Sequence, residues 1–352
     1  MRKVEVAILG CCGVLGQRFV QMLNDHPIFE VSALVDLYVG KKYREATTKW
    51  GKGSGGFDES IPDYVAEMGI CSIDGVGKDI PLIFSGLPPN VAGPIESGLA
   101  KKGHIVVSKA KDHRLEEDVP LVIPEVNPNH LELLEVQRKK RAWDGAIVCA
   151  PNCTTSIFVL PLKPVFDAFG VEEVVLTTMQ AISGAGYPGV SSLDIIDNVI
   201  PYIEGEEEKT RLESKKILGS IDKLADYKLA SYCCRVPVID GHLECIFVKT
   251  REKADVEEVK RLMRNFPGTG SYTGPERPII VRDEADRPQT RFDRYAGEGK
   301  SPYIKGMSVT VGRIRDDGVF GLSFISLGHN TIRGGAGEAI LVGELLEREG
   351  YV

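Results

Sequence analysis

Short apolar runs alternate with helically spaced apolar residues over about the first 150 positions of the chain. Residues Val4–Leu9 form one such run and end at Gly10, which is the profile of a buried parallel strand. Helical spacing follows over 17–23, and a second apolar run over 31–35 completes a βαβ unit. Further strands are predicted at 80–85, 104–108 and 147–150, with a helix beginning after residue 90. This alternation predicts a doubly wound α/β sheet.

The pattern changes after residue 150, where strand-like runs are separated by fewer and longer helical segments. The predicted strands lie at 174–182, 230–238, 243–250, 306–313 and 319–326, the predicted loops at 50–57 and 265–278, and a C-terminal helix at 334–347. This order predicts an α+β second domain built on a mostly antiparallel or mixed sheet. We expect a first domain over 1–152 that the C-terminal helix (333–352) rejoins, and a second domain over 153–332.

Composition narrows the classes of function. The chain has 352 residues, 43% hydrophobic and 26% charged, with a net charge of −7, which suits a globular protein of two domains. The negative charge argues against broad binding to nucleic acid or to an anionic membrane. The uncharged stretches 145–162 and 174–193 contain too many Pro, Gly, Ser and Thr residues for membrane spans. Eight cysteines without CxxC pairs predict reduced thiols in a cytoplasmic protein and no metal site.

A glycine motif, Gly10-x-x-Gly13-x-x-Gly16, lies between the first predicted strand and the first predicted helix. Such a turn lets backbone N–H groups approach a pyrophosphate at the helix N-terminus, although an ordinary glycine turn has the same spacing. Asp36 ends the second strand, where an acidic residue commonly binds the ribose 2′-hydroxyl of NAD. Lys41 follows closely and could instead hold the 2′-phosphate of NADP. These residues do not decide between NAD and NADP as the cofactor.

The segment Asn152-Cys153-Thr154-Thr155 follows a predicted strand and opens a predicted helix. A thiol at a helix N-terminus gains thiolate character, and the adjacent N–H groups can hold an oxyanion. Burial as a small hydrophobic residue is the commoner fate of an arbitrary cysteine. His242 follows Gly241 at a strand start and is the candidate base for Cys153. Arg235 has a planar guanidinium that could bind a carboxylate with two hydrogen bonds, or it could be a structural arginine.

Two charged segments have simpler alternatives. Lys109, Lys111, His113 and Arg114 follow a predicted strand end, where they could clamp a phosphate or carboxylate or lie in a solvated loop. Residues 206–209 read Glu-Glu-Glu-Lys, with Glu213 and Lys216 beyond, and on pattern alone they predict a solvated helix face.

Taken together, the motifs resemble the aspartate-β-semialdehyde dehydrogenases of the archaeal and fungal branch. The resemblance spans nearly the whole chain and rests on the glycine motif and on segments 118–127, 151–155, 180–189, 193–201, 235–242 and 329–337. It implies a Rossmann domain and an α+β catalytic and dimerisation domain similar to that of glyceraldehyde-3-phosphate dehydrogenase. It also implies a homodimer or homotetramer, and NADP as cofactor, with NAD possible because of Asp36.

The same resemblance implies roles for individual residues. Cys153 would be the nucleophile, His242 the acid/base, and Gln180 the residue that orients the substrate. The substrate would contact Arg235, Glu213, Arg114, Lys216 and Asn152. The cofactor would contact Gly10, Cys12, Gly13, Val14, Gly16, Asp36, Lys41, Ser85, Gly86, Ser183, Gly184, Gly186 and Asn330.

The expected reaction is the reductive dephosphorylation of L-aspartyl-4-phosphate to L-aspartate-4-semialdehyde through a cysteine thioester, which serves lysine, threonine and methionine biosynthesis. A sister activity, the reduction of malonyl-CoA, would keep the cysteine, the histidine and the cofactor fold. A non-catalytic nucleotide-sensing protein is the alternative of another class, but it would need neither Cys153 nor His242.

Overall fold

The computed structural model describes residues 3–47, 63–302 and 304–352, and the predicted loop 50–57 lies outside them. Within these residues the chain divides into two compact units. Unit 1 comprises Met1–Val122, Pro128–Pro151 and Gly335–Val352, and unit 2 comprises Ile123–Asn127 and Asn152–Gly334. No helix in the described ranges has the length and apolar character needed to span a bilayer.

Unit 1 is a parallel sheet with helices. Its strands are β1 (Val4–Leu9), β2 (Phe29–Val35), β3 (Ile70–Cys71), β4 (Leu82–Ser85), β5 (Ile105–Ser108) and β6 (Ala146–Cys149). Its helices are α1 (Val14–Met22), α2 (Tyr43–Ala46), α3 (Asp63–Ala66), α4 (Ala92–Lys101), α5 (Leu133–Arg141) and α11 (Gly337–Arg348). The strand order β3-β2-β1-β4-β5-β6 confirms the doubly wound sheet. Every strand pair in it is parallel.

The C-terminal helix α11 belongs to the core of unit 1. It packs on β4, β5 and α1, and ten consecutive residues, from Gly337 to Leu346, are buried. Gly343 lies against the ring of Phe84, where a Cβ atom would come within 2.8 Å of Cζ. Glu344 Oε1 accepts a hydrogen bond from His26 Nε2 over 2.9 Å, with both side chains buried. A helix this deeply buried is stabilised by packing rather than by propensity.

Unit 2 is built on a mixed six-stranded sheet, as the sequence predicted. Its strands are β7 (Val171–Gln180), β8 (Lys228–Arg235), β9 (His242–Thr250), β10 (Ile279–Val281), β11 (Val309–Arg315) and β12 (Gly321–Gly328). Its helices are α6 (Cys153–Phe169), α7 (Ser192–Ile195), α8 (Glu206–Leu218), α9 (Val256–Arg264) and α10 (Thr290–Asp293). The strand order is β10-β11-β12-β9-β7-β8, with parallel outer pairs and antiparallel inner pairs.

Helix α6 is the central helix of unit 2, and it begins at Cys153. Its N-cap is Asn152, whose side chain accepts a hydrogen bond from Thr154 N–H over 2.8 Å. The helix packs on β7, β9, β11 and β12, while α8 packs on α6 and β8. These contacts place the start of α6, and the face of α8 that packs on α6 and β8, beside the ends of the central strands.

Candidate active site

The ends of three neighbouring strands converge at one edge of the sheet in unit 2. Gln180 ends β7 and pairs in parallel register with Arg235, which ends β8. Strand β9 runs antiparallel to β7, so its first residue, His242, lies beside the last residues of β7. The topology therefore brings Gln180, Arg235 and His242 together. Up to 62 positions separate them along the chain.

Cys153 and His242 form a contact pair at this edge. The Sγ atom of Cys153 lies 3.2 Å from His242 Nε2. Cys153 is half-buried and His242 fully buried. Because Cys153 is the first residue of α6, its sulfur lies in the positive field of the helix N-terminus, which favours an anionic sulfur.

The hydrogen bonds of His242 define its neutral tautomer. The Ala181 backbone N–H donates to His242 Nδ1 over 3.1 Å. A neutral imidazole carries one proton, so that proton sits on Nε2 and faces Cys153 Sγ. Burial, and secondarily the charge of Arg235, lowers the pKa of His242 to about 3, against an opposing effect of Glu206. This arrangement suits a residue that donates a hydrogen bond to an anionic sulfur more than the resting base predicted for Cys153.

Arg235 and Gly184 complete the immediate surroundings of this pair. Arg235 is buried and donates from Nη1 to the Ala181 carbonyl over 2.7 Å. A Cβ atom on Gly184 would come within 2.8 Å of Arg235 Nη1 and 3.2 Å of His242 Cε1. Glycine at position 184 therefore allows the turn after β7 to approach both side chains closely.

The prediction of a solvated face for residues 206–209 is wrong for its first residue. Glu206 is 4% exposed, and its carboxylate accepts hydrogen bonds from Thr154 Oγ1 (3.1 Å) and Gln180 Nε2 (3.3 Å). Glu213, on the same helix, is also buried and accepts from the Asn152 backbone N–H over 2.8 Å. The charge pattern of α8 matches a surface helix, but α6 and β8 cover this face, which only tertiary packing decides.

The remaining residues predicted for unit 2 lie in loops and on α8. Asn330 donates to Ser183 Oγ over 2.8 Å and accepts from the Gly241 N–H over 2.8 Å. Gly186 has φ +72°, a conformation that favours glycine. Lys216 lies in the last turn of α8. The structure thus joins Asn330 to Ser183, one of the turn residues predicted to contact cofactor.

In unit 1 the glycine motif forms a tight strand–turn–helix connection. Gly10 has φ +68° and follows β1, and Gly13 is the N-cap of α1. A Cβ atom on Gly16 would come within 2.1 Å of the Gly10 carbonyl oxygen, so only glycine allows α1 to pack this closely. A Cβ atom on Gly10 would meet Gly86, the residue after β4, at 3.0 Å.

This connection lies where the strand order of unit 1 reverses. Strands β1 and β4 are neighbours there, and they end at Leu9 and Ser85. Doubly wound sheets bind their ligands at such a switch point. A dinucleotide fits these residues, because the Cβ-free loop and the N-terminus of α1, which includes Val14, form a cradle for a pyrophosphate.

Asp36 is tied to the glycine turn by one carboxylate oxygen and to its own chain by the other. Oδ2 accepts from the Cys12 N–H over 2.9 Å, and Oδ1 accepts from the Leu37 N–H over 2.7 Å. The Nζ atom of Lys41 lies 5.5 Å from the ring centroid of Tyr38. The carboxylate is therefore fixed beside the glycine turn, whereas Lys41 lies over the ring of Tyr38.

Two further features belong to unit 1. Arg114 is buried and donates from Nη2 to the Lys109 carbonyl. Cys11 Sγ lies 3.8 Å from Cys12 Sγ, and with Asp36 these side chains place ligand atoms within 4.8 Å of one another. That grouping could hold a metal ion, a possibility that the spacing of the cysteines did not indicate.

Comparison with known proteins places this geometry in a family. The model of the semialdehyde dehydrogenase NAD-binding domain matches residues 5–134, and that of the semialdehyde dehydrogenase dimerisation domain matches residues 162–333. The chain belongs to the semialdehyde dehydrogenase family. The matches cover most of the parallel sheet, with the glycine motif, and the whole mixed sheet, which carries His242; β6 and Cys153 lie between the two matched ranges.

Relatives of the chain within this family match it over nearly its full length. The aspartate-semialdehyde dehydrogenase of Archaeoglobus fulgidus is 47% identical, over 99% of both chains. The malonyl-CoA reductase (NADP) of Metallosphaera sedula is 40% identical, over 100% of this chain and 99% of that protein. The crystal structure of the Candida albicans aspartate-semialdehyde dehydrogenase with NADP has 38% identity and a TM-score of 0.86, over 99% of both chains. The last comparison confirms the predicted architecture of a Rossmann domain with an α+β catalytic domain.

Proposed function

We propose that this protein reduces L-aspartyl-4-phosphate to L-aspartate-4-semialdehyde and inorganic phosphate, through a thioester on Cys153. The observation that carries the proposal is the 3.2 Å contact between Cys153 Sγ and His242 Nε2 at the start of α6. The names of the A. fulgidus and C. albicans relatives support the substrate. The reaction supplies a precursor for lysine, threonine and methionine.

Polar residues of unit 2 near the start of α6 orient the substrate. Arg235 offers a guanidinium for the α-carboxylate, and Glu213 offers a carboxylate for the α-ammonium group. Gln180 orients the same substrate from the end of β7, and Asn152 keeps the start of α6 in place through its cap. Lys216, in the last turn of α8, supplies a cation for phosphate or carboxylate. Holding the acyl carbon against sulfur in this way lowers the barrier by orientation.

The first chemical step is attack of the Cys153 thiolate on the acyl carbon, which forms a C–S bond. Backbone N–H groups in the first turn of α6 stabilise the resulting oxyanion. The carbon–oxygen bond to phosphate then breaks, phosphate leaves with the bonding electrons, and the thioester remains.

The second step converts the thioester to the aldehyde. A reduced nicotinamide, when bound, supplies the hydride for the thioester carbon. The thiohemiacetal then collapses, so that the C–S bond breaks and its electrons return to sulfur. His242 carries its proton on Nε2, facing that sulfur, and therefore donates a hydrogen bond that stabilises the departing thiolate.

The cofactor of this reaction is a nicotinamide dinucleotide, with NADP favoured. The NAD-binding family model and the NADP bound to the C. albicans enzyme support it. We also propose a homodimer or a homotetramer, which the dimerisation model over 162–333 supports. No disulfide joins the eight cysteines, all of which lie in the described ranges, and we propose a reducing compartment such as the cytoplasm.

The direct test is phosphate-dependent oxidation of aspartate semialdehyde by the purified protein, followed by the absorbance of the reduced nicotinamide with NADP and NAD in parallel. We expect turnover, and a loss of about 10³-fold or more in Cys153→Ser, since the hydroxyl is a far weaker nucleophile at neutral pH. Malonyl-CoA reduction is measured beside it. Turnover of malonyl-CoA without turnover of aspartate semialdehyde would overturn the proposal, and so would a Cys153→Ser variant of normal activity.

A further inference from the structure

Glu206 is a buried carboxylate that joins the elements around the candidate nucleophile. It is the first residue of α8, and its oxygens contact side chains of α6, of β7 and of its own helix. Oε1 accepts from Thr154 Oγ1 over 3.1 Å and from Gln180 Nε2 over 3.3 Å. Oε2 lies 3.2 Å from Lys209 Nζ, one turn farther along α8. Glu206 therefore links the turn after Cys153 to the end of β7.

This carboxylate is ionised at neutral pH. Burial by itself would raise the pKa of Glu206, but the charge and hydrogen bond of Lys209, together with a hydrogen bond from Asn152, lower it below its usual value. An ionised carboxylate has no proton to donate and can only accept hydrogen bonds. The group of Gln180 that faces Glu206 must therefore be a donor.

That requirement decides the orientation of the Gln180 amide. The amide nitrogen has two hydrogens, and both have acceptors: Glu206 Oε1 at 3.3 Å and Thr178 Oγ1 at 3.2 Å. With the nitrogen facing Glu206 and Thr178, the carbonyl oxygen Oε1 is the group of Gln180 left to accept a hydrogen bond. In the opposite orientation two acceptors would face each other in a buried place, at the cost of an unsatisfied polar group.

We propose that Glu206 is a positioning residue, which fixes the amide of Gln180 so that its carbonyl oxygen is presented to the substrate. A carbonyl acceptor suits a donor close to the acyl carbon, such as the α-ammonium group of an amino acid. Malonyl-CoA has no such group near its acyl carbon, so this orientation favours the aminoacyl substrate. The inference rests on the proposed function and deepens it by assigning a determinant of substrate specificity.

The test is a double-mutant cycle of Glu206→Gln and Gln180→Ala, with kcat and KM measured for aspartate semialdehyde. Glutamine at position 206 conserves volume, but it can donate as well as accept and so no longer dictates which end of the Gln180 amide faces it. We expect kcat/KM to fall on the order of 10- to 100-fold, because a misplaced group loses orientation. In the Gln180→Ala background the same change should cost no more than about twofold.

Alkylation of Cys153 by iodoacetamide, followed by mass spectrometry of its peptide, separates positioning from other roles. Iodoacetamide needs no orientation by Gln180, so the alkylation rate of Glu206→Gln should stay within about twofold of the wild-type rate. The matched control is Glu208→Gln, an exposed residue of the same helix that pairs with Arg211, and it should change neither measurement. If Glu206→Gln does not fold, Glu206→Asp keeps the charge and withdraws the oxygens from Gln180.

Three outcomes would overturn the inference. An equal loss of kcat/KM in the Gln180→Ala background would mean that Glu206 does not act through Gln180. A tenfold or larger fall in the alkylation rate would place its effect on the Cys153–His242 pair instead. A wild-type protein that turns over neither aspartate semialdehyde nor malonyl-CoA would refute the proposed function itself, and the inference with it. Wild-type turnover without coupling would refute the inference alone.

Discussion

Replacing His242 with glutamine is expected to remove a specific sensitivity to acid from the folded protein. His242 is fully buried, and its pKa falls to about 3, through burial and then through Arg235. In the unfolded chain a histidine titrates at about 6.5. Between these two pKa values, the histidine is protonated in the unfolded state and neutral in the folded state. The stabilising contribution is therefore complete above about pH 6.5 and is lost as the pH falls toward about 3.

The magnitude follows from these two pKa values. Going from about pH 7 to about pH 5, the free energy of unfolding of the wild type should fall by about 2 kcal/mol more than that of His242→Gln. Urea denaturation at both pH values, followed by far-UV circular dichroism, measures the difference. Between about pH 7.5 and 8.5 the two proteins should show the same pH dependence, because His242 is neutral in both states there.

One result would refute this reasoning. If the wild type and His242→Gln lose the same free energy between about pH 7 and about pH 5, His242 is not held neutral in the folded state. The proton that we assign to Nε2 would then not be the only one on the ring, and the assignment of His242 as a neutral hydrogen-bond donor to sulfur would lose its basis. The comparison uses changes with pH within each protein, so the absolute stability of the variant does not affect it.

Further predictions concern the cofactor cradle and the surface of unit 2. Gly16→Ala should weaken dinucleotide binding, measured by nicotinamide fluorescence, by about tenfold or more, because its Cβ would lie 2.1 Å from the Gly10 carbonyl oxygen. Gly98→Ala, where a Cβ meets nothing within 4 Å, is the control. Asp36→Ser should raise the ratio of kcat/KM for NADP to that for NAD by about tenfold, since a carboxylate beside the cradle repels a 2′-phosphate; an unchanged ratio would place the 2′-position elsewhere. Leu193, 91% exposed, and Ile196, 66% exposed, present an apolar surface on unit 2 that we expect to face a second subunit. Leu193→Glu should lower the mass measured by sedimentation, and an unchanged mass would exclude this surface as the contact.

The local pattern of the chain predicted most of the secondary structure. The run Val4–Leu9 is β1 without change, and the predicted strand 243–250 is β9, which begins one residue earlier, at His242. The predicted loop 265–278 corresponds to the connection between α9 and β10. Two very short strands, β3 and β10, were missed, because two or three residues carry too little periodicity to be distinguished from a loop.

Local sequence likewise revealed some residues of the candidate site and not others. Cys153 and His242 were recognisable because each has local context: a strand end and a helix start for the thiol, and a glycine followed by a strand for the histidine. Glu206 has no such context, because its Glu-Glu-Glu-Lys segment is the pattern of an exposed helix. Ala181 escaped notice as well, since its contribution is a backbone N–H and not a side chain.

By itself the sequence determined the two sheets, the glycine turn, the thiol at a helix start and the family to which the chain belongs. These properties depend on neighbours within a few turns or one strand, so periodicity and motif spacing contain them. Tertiary structure alone decided that the first turn of α8 is buried against α6, that the Ala181 N–H occupies Nδ1 of His242, and that the amide nitrogen of Gln180 faces Glu206. Each of these is a hydrogen bond between groups from distant parts of the chain, and its partners are defined only when the sheet of unit 2 has formed.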